Sequence, residues 1–304
     1  MSNSLMSMLA VSTALAASLS TGNSASTVEA PEIQSQQQVS AVSNNSEDLV
    51  EKVLEQIAQG EHSPDNEAVG VSRVMKVLDS RGNVNSSTIS SGNPLGIDIS
   101  GHQHNSSGTI DINTAVDQSN VEFAFIKATE STNYINPHFR SDTMTAINKG
   151  IPIGFYHYAK PTNSISDAKE QARFFVDVTG ISQGVKTLPP VLDLEENKEN
   201  LSSQQLIEWT QAYVNEIKRL TGKNVMMYTY PSFWRDEMNN TTRFSDLPLW
   251  IAHYHNGTKP DVPGGWTNWT FWQYTSSGRV NGYNQNIDMN YFNGSSEALN
   301  SIYS

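Results

Sequence analysis

Short apolar runs alternate with helical patterns from Leu95 to the end of the chain. Such alternation is typical of an α/β fold with a mainly parallel sheet. About eight of the runs have the length and composition of buried strands. They cover residues 95–100, 123–127, 153–158, 191–194, 225–229, 249–252, 271–274 and 287–290.

Helical periodicity lies between the earlier strands, at residues 139–149, 167–178 and 204–220. Ser202 and Gln205 have the spacing of a capping box at the start of the last of these helices, and Gly222 is a natural stop. After the fifth strand the connections are short and rich in Pro, Gly and Trp, with little room for long helices. The pattern predicts a TIM-like eight-stranded barrel whose last helices are reduced.

The first 94 residues differ in composition from the rest of the chain. An apolar, small-residue run from Leu5 to Leu19 suggests a secretory leader within residues 1–25, with Ala14 to Ala16 as the cleavage signal. No Lys or Arg precedes that run, and the alternative is a disordered start rich in Ala and Ser. The run is too short and too polar for a membrane span.

The composition of residues 26–94 predicts a flexible, partly helical extension that ends in a linker. Residues 20–47 are rich in Ser, Gln, Asn and Thr, and residues 83–94 in Ser, Asn and Gly. Apolar residues recur at helical spacing in residues 48–58 and again in 71–78, which suggests a helical hairpin or a propeptide-like cap.

Composition removes several classes of function. The formal net charge of −12 argues against nucleic acid as a partner, because no basic patch offsets the phosphates. The chain has no cysteine, which excludes disulfides, thiol catalysis and Cys-based zinc sites. Two histidine pairs, His102 with His104 and His253 with His255, fit polar loop or groove residues better than metal ligands. We expect no metal and no cofactor.

Four acidic residues stand inside or beside the apolar strands. Asp193 and Glu195 occupy alternate positions of one predicted strand, so they share a face. Asp98 ends the first strand and Asp288 lies in the last, and these two strands become neighbours when a barrel closes. A single strand acid often caps a turn or pairs with an Arg, but four on one barrel rim favour a reactive site. Like charges raise one another's pKa, so Glu195 is a candidate general acid.

Aromatic residues follow the acids along the strands. Aromatic rings stack on the apolar faces of sugars, which suggests a carbohydrate groove, although aromatic side chains also fill barrel cores. We expect about half of these residues to be core, Trp272 among them. The candidate substrate-binding residues are Tyr156, Tyr158, Tyr228, Trp250 and Tyr254, with Trp266, Trp269 and Tyr274 close by.

Eight motifs occur in the order seen in the family 25 glycoside hydrolases, and from about residue 94 onward the chain resembles that family of lysozyme-like muramidases. The motifs are Gly-Ile-Asp-Ile-Ser (96–100), Phe-Ile-Lys-Ala-Thr-Glu (125–130), Gly-Phe-Tyr-His-Tyr-Ala (154–159), Leu-Asp-Leu-Glu (192–195), Met-Tyr-Thr (227–229), Leu-Trp-Ile-Ala-His-Tyr (249–254), Trp-Gln-Tyr (272–274) and Ile-Asp-Met-Asn-Tyr-Phe (287–292). The resemblance implies five βα units followed by three strands. It also implies cleavage of the β-1,4 bond between N-acetylmuramic acid and N-acetylglucosamine in peptidoglycan.

The resemblance also assigns roles. Glu195 matches the general acid, and Asp193 matches the residue that supports the substrate's 2-acetamido group or the attacking water. Asp98 and Asp288 match the flanking acids, while Tyr228 and Trp250 match groove residues. A non-catalytic glycan-binding barrel is the alternative.

The expected organisation is a leader at 1–25, an extension at 26–94 and a catalytic barrel at 95–304. The extension binds a wall polymer or partner, holds the enzyme inactive until it is removed, or acts as a spacer. We expect a secreted or wall-associated monomer that acts on peptidoglycan glycan strands, with no nucleic-acid partner and no membrane span.

Overall fold

The computed structural model describes residues 92–303. The predicted leader and nearly all of the predicted extension, including the helical patterns at 48–58 and 71–78, lie outside the described residues. Within residues 92–303, no helix combines the length and apolar character needed to cross a membrane.

Eight strands form the centre of the molecule, at or close to the predicted positions. They are β1 (Leu95–Ile99), β2 (Val121–Glu130), β3 (Ile153–Tyr158), β4 (Val191–Asp193), β5 (Met226–Thr229), β6 (Leu249–Ala252), β7 (Phe271–Val280) and β8 (Tyr283–Phe292). The last two are longer than predicted because they continue as a polar hairpin beyond their buried portions.

The strands close into a barrel. β1 to β7 run parallel, each paired with the next, and β8 pairs antiparallel with both β7 and β1. The predicted TIM-like α/β barrel is confirmed. Because β8 runs in the opposite direction, Asp288 does not come from the carboxyl end of its strand. It reaches the rim from the middle of β8, opposite Asp98 of β1.

Helices connect the first six strands and one follows the last. They are α1 (Ile112–Ser119), α2 (Phe139–Asn148), α3 (Ile165–Thr179), α4 (Ser203–Thr221), α5 (Pro231–Asp236) and α6 (Ser296–Ile302). Five βα units are therefore followed by three strands, as the resemblance implies. The sequence pattern does not predict α1, α5 or α6, each of which is short and has three or fewer buried residues.

Capping chemistry sets the bounds of α4. Ser202 and Gln205 form the predicted capping box, and Gly222 ends the helix in the left-handed conformation at φ 70°. A non-glycine residue there would place its Cβ against the backbone, which is why glycine is favoured at this position. The helix buries Leu206, Trp209 and other apolar residues against the barrel and α3.

Aromatic rings fill the barrel interior. Phe123, Phe125 and Phe271 are fully buried, and Phe125 stacks on Trp250 with ring centroids 4.2 Å apart. Space for the two β2 rings comes from glycines on the neighbouring strands. A Cβ on Gly96 would lie 2.2 Å from the Phe123 ring, and one on Gly154 would lie 2.3 Å from the Phe125 ring.

A second apolar layer lies between the outer face of the barrel and the surrounding helices. It includes Ile97, Ile126, Leu192 and Ile251, all essentially inaccessible to solvent. Trp272 also belongs to this layer, so its predicted place in the core is confirmed. With both faces of the strands buried in apolar contacts, polar side chains inside the barrel concentrate at its mouth.

Candidate active site

Carboxyl groups from three strands meet at the mouth of the barrel. Asp98 and Asp193 stand at the carboxyl ends of β1 and β4, and Asp288 faces Asp98 in register. The sequence pattern places Glu195 in the same strand as Asp193, but the strand ends at Asp193 and Glu195 lies two residues beyond it. The Leu194 amide still donates to the Tyr228 carbonyl (3.0 Å), so the chain stays beside β5 and carries Glu195 to the rim.

Asp98 and Asp288 share a hydrogen bond across the β1–β8 pair. Burial raises the pKa of Asp98 to about 6, although hydrogen bonds to its charged form oppose that rise. Burial and the charge of Asp98 together raise the pKa of Asp288 to about 8. At neutral pH Asp288 therefore holds the proton and donates it to Asp98, which carries the negative charge.

Two buried amides fix the position of Asp98. Gln273 Nε2 and Asn290 Nδ2 both donate to Asp98 Oδ2, at 2.9 and 2.8 Å. Gln273 Oε1 accepts from the hydroxyls of Tyr228 (3.0 Å) and Tyr254 (2.5 Å). Because one amide connects an acid to two candidate groove tyrosines, these side chains form a single hydrogen-bonded unit.

Asp193 is the most constrained acid of the site. It is 5% exposed, and its Oδ1 is buried without a hydrogen-bond partner in the described chain. Burial, and then the charge of Glu195, raise its pKa well above the usual range. A buried carboxyl oxygen without a partner is costly, so this atom is suited to receive a hydrogen bond from a ligand.

Glu195 is only partly buried, and its pKa is also raised. Burial is the main cause, followed by the charges of Asp98 and Glu196. A carboxylic acid that keeps its proton towards neutral pH and remains accessible can protonate a leaving-group oxygen. Glu195 and Asp193 are close enough to influence each other's charge, so they titrate as a pair.

A buried cation balances this acidic cluster. Lys127, on the inward face of β2, forms an ion pair with Glu130 (2.6 Å), and its Nζ lies 4.5 Å from the centre of the Tyr158 ring. Its charge lowers the pKa of both Asp193 and Glu195, against the effect of burial. Lys127 thus keeps part of the negative charge that burial would otherwise suppress.

The five candidate substrate-binding aromatics reach the mouth to different depths. Tyr156 is buried among all four acids, whose charges add to burial in raising its pKa. Tyr158 is partly exposed and donates to Glu196 Oε2 (2.8 Å), while Tyr228 is buried beside Gln273. Tyr254 is 52% exposed and forms part of the rim.

Trp250 is not on the groove surface. It is 2% exposed, and its indole N–H donates to Asn290 Oδ1 (2.7 Å). It therefore supports the amide that holds Asp98, from below. Trp266 and Trp269 are also away from the mouth, since they line a cleft that includes Leu249 and Phe292 at the opposite end of the barrel. Tyr274 stacks on Tyr291, with ring centroids 4.4 Å apart.

The histidine pairs have structural contacts. His104 Nε2 bonds Asp142 (2.9 Å), and His253 Nδ1 accepts from the Asp261 amide (2.9 Å). Among residues 92–303, no group of three or more His, Cys, Asp or Glu side chains is arranged to hold a metal ion. This part of the chain offers no candidate metal centre.

Three polar residues of the mouth are missing from the sequence-based site. Gln273, Asn290 and Lys127 each occupy an inward position of a buried strand. The signal is present in the motifs Trp-Gln-Tyr, Ile-Asp-Met-Asn and Phe-Ile-Lys, where a polar residue interrupts an apolar run. From sequence alone, an amide in such a run cannot be told from an ordinary core residue whose hydrogen bonds are made locally. Its role is visible only when the side chain that it bonds is known.

A barrel with a cluster of carboxyl groups of raised pKa at the mouth, ringed by tyrosines, is the arrangement of a glycoside hydrolase. The family model described as Glycosyl hydrolases family 25 matches residues 97–283. The chain belongs to this family and is a glycoside hydrolase.

Individual relatives are similar over the same region. Lysozyme M1 of Streptomyces globisporus is 37% identical over 211 residues, which cover 67% of this chain and 69% of that protein. The N,O-diacetylmuramidase of Chalaropsis sp is 34% identical, over 59% of this chain and 87% of that protein. The crystal structure of the bacterial lysozyme from Streptomyces coelicolor superposes with a TM-score of 0.63 at 35% identity, covering 72% of this chain and 98% of that one.

Proposed function

We propose that the protein is an N-acetylmuramidase, a lysozyme that hydrolyses the β-1,4 bond between N-acetylmuramic acid and N-acetylglucosamine in peptidoglycan. Family membership supports peptidoglycan as the substrate class, and relatives named lysozyme and N,O-diacetylmuramidase support the position of the cut. The biological role that follows is lysis or remodelling of the bacterial cell wall.

The observation that carries this proposal is the buried Asp193 Oδ1, which has no partner within the described chain. Both sugars of the proposed substrate bear a 2-acetamido group, whose N–H is a hydrogen-bond donor. When the proton of the Asp193–Glu195 pair lies on Glu195, an Asp193 carboxylate that accepts this N–H orients the acetamido oxygen towards the anomeric carbon. The donated hydrogen bond stabilises the charged form of Asp193, against the effect of burial. As positive charge develops on the acetamido group in the transition state, the interaction strengthens, which is the requirement for catalysis.

Glu195 is the general acid in this proposal. Its raised pKa keeps a proton available, and its partial exposure at the rim lets a glycosidic oxygen approach it. After the leaving group departs, the Glu195 carboxylate takes a proton from the incoming water. Two routes remain open: attack by the acetamido oxygen with support from Asp193, or direct attack by a water that Asp193 activates.

Asp98 and Asp288 act as one flanking unit. The single charge on Asp98 lies close enough to raise the pKa of Glu195, and Asp288 holds the proton that prevents a second buried charge. Tyr158 and Tyr254 supply exposed aromatic surface for the sugar rings, and the buried Tyr156 and Tyr228 lie deeper in the mouth. Trp250, buried beneath the mouth, supports Tyr228 through T-shaped packing, with ring centroids 4.5 Å apart.

We further propose that residues 95–304 are the catalytic unit and that the protein works outside the cytoplasmic membrane, because peptidoglycan lies there. Residues 1–25 are then the leader and residues 26–94 the extension.

The reaction is tested by incubating the purified protein with peptidoglycan, reducing the products with borohydride and identifying the reduced ends by mass spectrometry. New reduced muramic acid ends support the muramidase. Reduced glucosamine ends would keep a glycosidase but move the scissile bond. No new ends, from folded protein on several walls, would favour the non-catalytic glycan-binding barrel.

A further inference from the structure

A second concave site lies at the end of the barrel opposite the carboxyl groups. Its walls come from the loop before β7, the start of β6, the end of β8 and α6, and it encloses about 330 Å³. This volume is at the small end of the range for ligand pockets, about 300–1,000 Å³. The cleft therefore has room for one small ring, not for an extended chain.

The cleft carries no charge in a protein whose formal net charge is −12. Its lining combines the Trp269 indole with hydroxyl and amide side chains, namely those of Ser245, Thr267, Asn268, Thr270 and Asn293. The other lining residues are apolar or aromatic: Leu247, Leu249, Trp266, Phe292 and Ile302. Trp269 packs edge-on against Trp272, with ring centroids 6.0 Å apart, and this contact holds the indole in place. An uncharged site that combines aromatic and aliphatic surface with several neutral hydrogen-bonding groups suits a neutral, hydroxyl-rich ligand with an apolar ring face.

Hydrogen bonds within the cleft leave a matched donor and acceptor open. Asn293 Nδ2 donates to Asn268 Oδ1 and to the Trp269 carbonyl, both at 2.9 Å, and Asn268 Oδ1 also accepts from the Trp269 amide (2.9 Å). No further hydrogen bond to either side chain occurs in the part of the chain that the structure describes. Asn268 Nδ2 is therefore an unused donor and Asn293 Oδ1 an unused acceptor. An acetamido group offers the complementary acceptor and donor.

The frame of the cleft is fixed before any ligand arrives. The Thr270 amide donates to the Leu249 carbonyl (2.7 Å), the Asn293 amide donates to the Thr270 carbonyl (2.9 Å), and the Trp266 indole donates to the Leu247 carbonyl (2.8 Å). Because the walls are held by backbone hydrogen bonds, little ordering entropy opposes binding.

We propose that this cleft binds a single neutral N-acetylated sugar unit, as a glycan-binding site separate from the mouth. The two sites open at opposite ends of the barrel, so a sugar held in the cleft does not compete with one at the acids. In a polymer of many parallel strands, a strand held at the cleft would keep the mouth close to its neighbours and raise the local substrate concentration.

The test uses the full chain, the N-acetylglucosamine trimer as the probe, and hydrogen–deuterium exchange read by mass spectrometry. Asn268→Asp is the informative variant, because it keeps the Oδ1 acceptor of both internal hydrogen bonds and replaces the open donor. Asn284→Asp makes the same chemical change at an exposed position of β8 and serves as the matched control. Trp269→Leu is a second, independent variant that removes the indole.

We expect the trimer to slow exchange at residues 266–270 and 292–294 in the wild type and in Asn284→Asp. The effect should be lost in Asn268→Asp and in Trp269→Leu, with unchanged thermal midpoints showing that each variant is folded. The proposal is overturned if the trimer slows exchange only at the mouth. Equal slowing in both cleft variants would also overturn it. The readout needs no turnover, so it stands or falls separately from the reaction proposed for the acids.

Discussion

Asp98 and Asp288 face each other across the antiparallel pair that closes the barrel, and one proton is shared between them. Within residues 92–303 neither carboxyl group has a cation as its partner, and Asp98 is instead held by two amides and by the proton on Asp288. The rim therefore keeps one buried negative charge near Glu195 and avoids the desolvation and repulsion that a second buried charge would add.

Replacing Glu195 by Gln removes the proposed proton donor while keeping the side chain's size. We expect the rate of peptidoglycan cleavage to fall by about 10²–10⁴-fold, with the thermal midpoint nearly unchanged. Glu199→Gln is the control, because Glu199 lies in the same loop, its side chain is exposed, and the same chemical change there leaves the surroundings of Glu195 intact. A Glu195→Gln variant that keeps most of its activity would remove this residue as the acid.

Asp98→Asn and Lys127→Met should move the pH–rate profile in opposite directions. Activity falls as pH rises through the pKa of the general acid, so the alkaline limb reports Glu195. The charge of Asp98 raises that pKa and the charge of Lys127 lowers it. We expect the limb to move to lower pH in Asp98→Asn and to higher pH in Lys127→Met. Shifts in the same direction would contradict the assignment.

Asp288→Asn should stabilise the fold at alkaline pH. A carboxyl group whose pKa is raised from 3.8 to about 8 makes no unfavourable contribution below pH 3.8. It destabilises the folded state progressively as pH rises towards 8, because the unfolded state releases its proton first. We expect a gain of about 1 kcal/mol or more at pH 9 and little difference at pH 3.5, measured by urea denaturation. An equal gain at both pH values would indicate a packing effect.

Tyr254 offers a test of the groove rim. Its ring is half exposed, and its hydroxyl bonds Gln273. Tyr254→Ala should raise KM about three- to tenfold with a smaller change in kcat, because a ring that stacks on a sugar contributes about 0.5–1.5 kcal/mol. Tyr254→Phe keeps the ring and should retain most of the affinity. If the two variants behave alike, the hydroxyl and not the ring is important.

Gly154→Ala tests the packing of the barrel interior. The added Cβ would lie 2.3 Å from the Phe125 ring, so the ring must move within a closed core. We expect a loss of about 1–3 kcal/mol in the free energy of unfolding. At Gly101 the nearest atom to an added Cβ is at 3.4 Å, and Gly101→Ala should be close to neutral. Equal losses in the two variants would contradict the packing argument.

The barrel could be predicted because strands buried on both faces give continuous apolar runs that are visible without any partner. All eight runs are strands, and the three long helices lie at the predicted positions, the last of them with its predicted capping box and terminal glycine. The short helices α1, α5 and α6 were missed, since six to eight residues give too few turns for a periodic signal. The direction of β8 has no local signature; it follows from a tight hairpin and from closure of the barrel.

The acids of the site were predictable because charge within an apolar run is rare. Gln273 and Asn290 were not, because their importance lies in what they bond, and both partners are distant in sequence. Trp250 shows the reverse limit. Its place in a motif suggested the groove surface, but depth inside a barrel depends on the side chains that cover it, here Tyr156 and Tyr228, which pack edge-to-face on the indole.

The reversed direction of β8 returns the chain to the end of the barrel where it began. Asn93 donates to the Phe292 carbonyl (2.6 Å), and α6 follows at that same end, with Leu299 packed beneath the barrel interior. A polypeptide joined to either end of the described chain is thus attached on the side turned away from the acids. Such a tether can anchor the protein to a surface or a second domain while the mouth faces outward, and no attachment point stands in the path of the substrate.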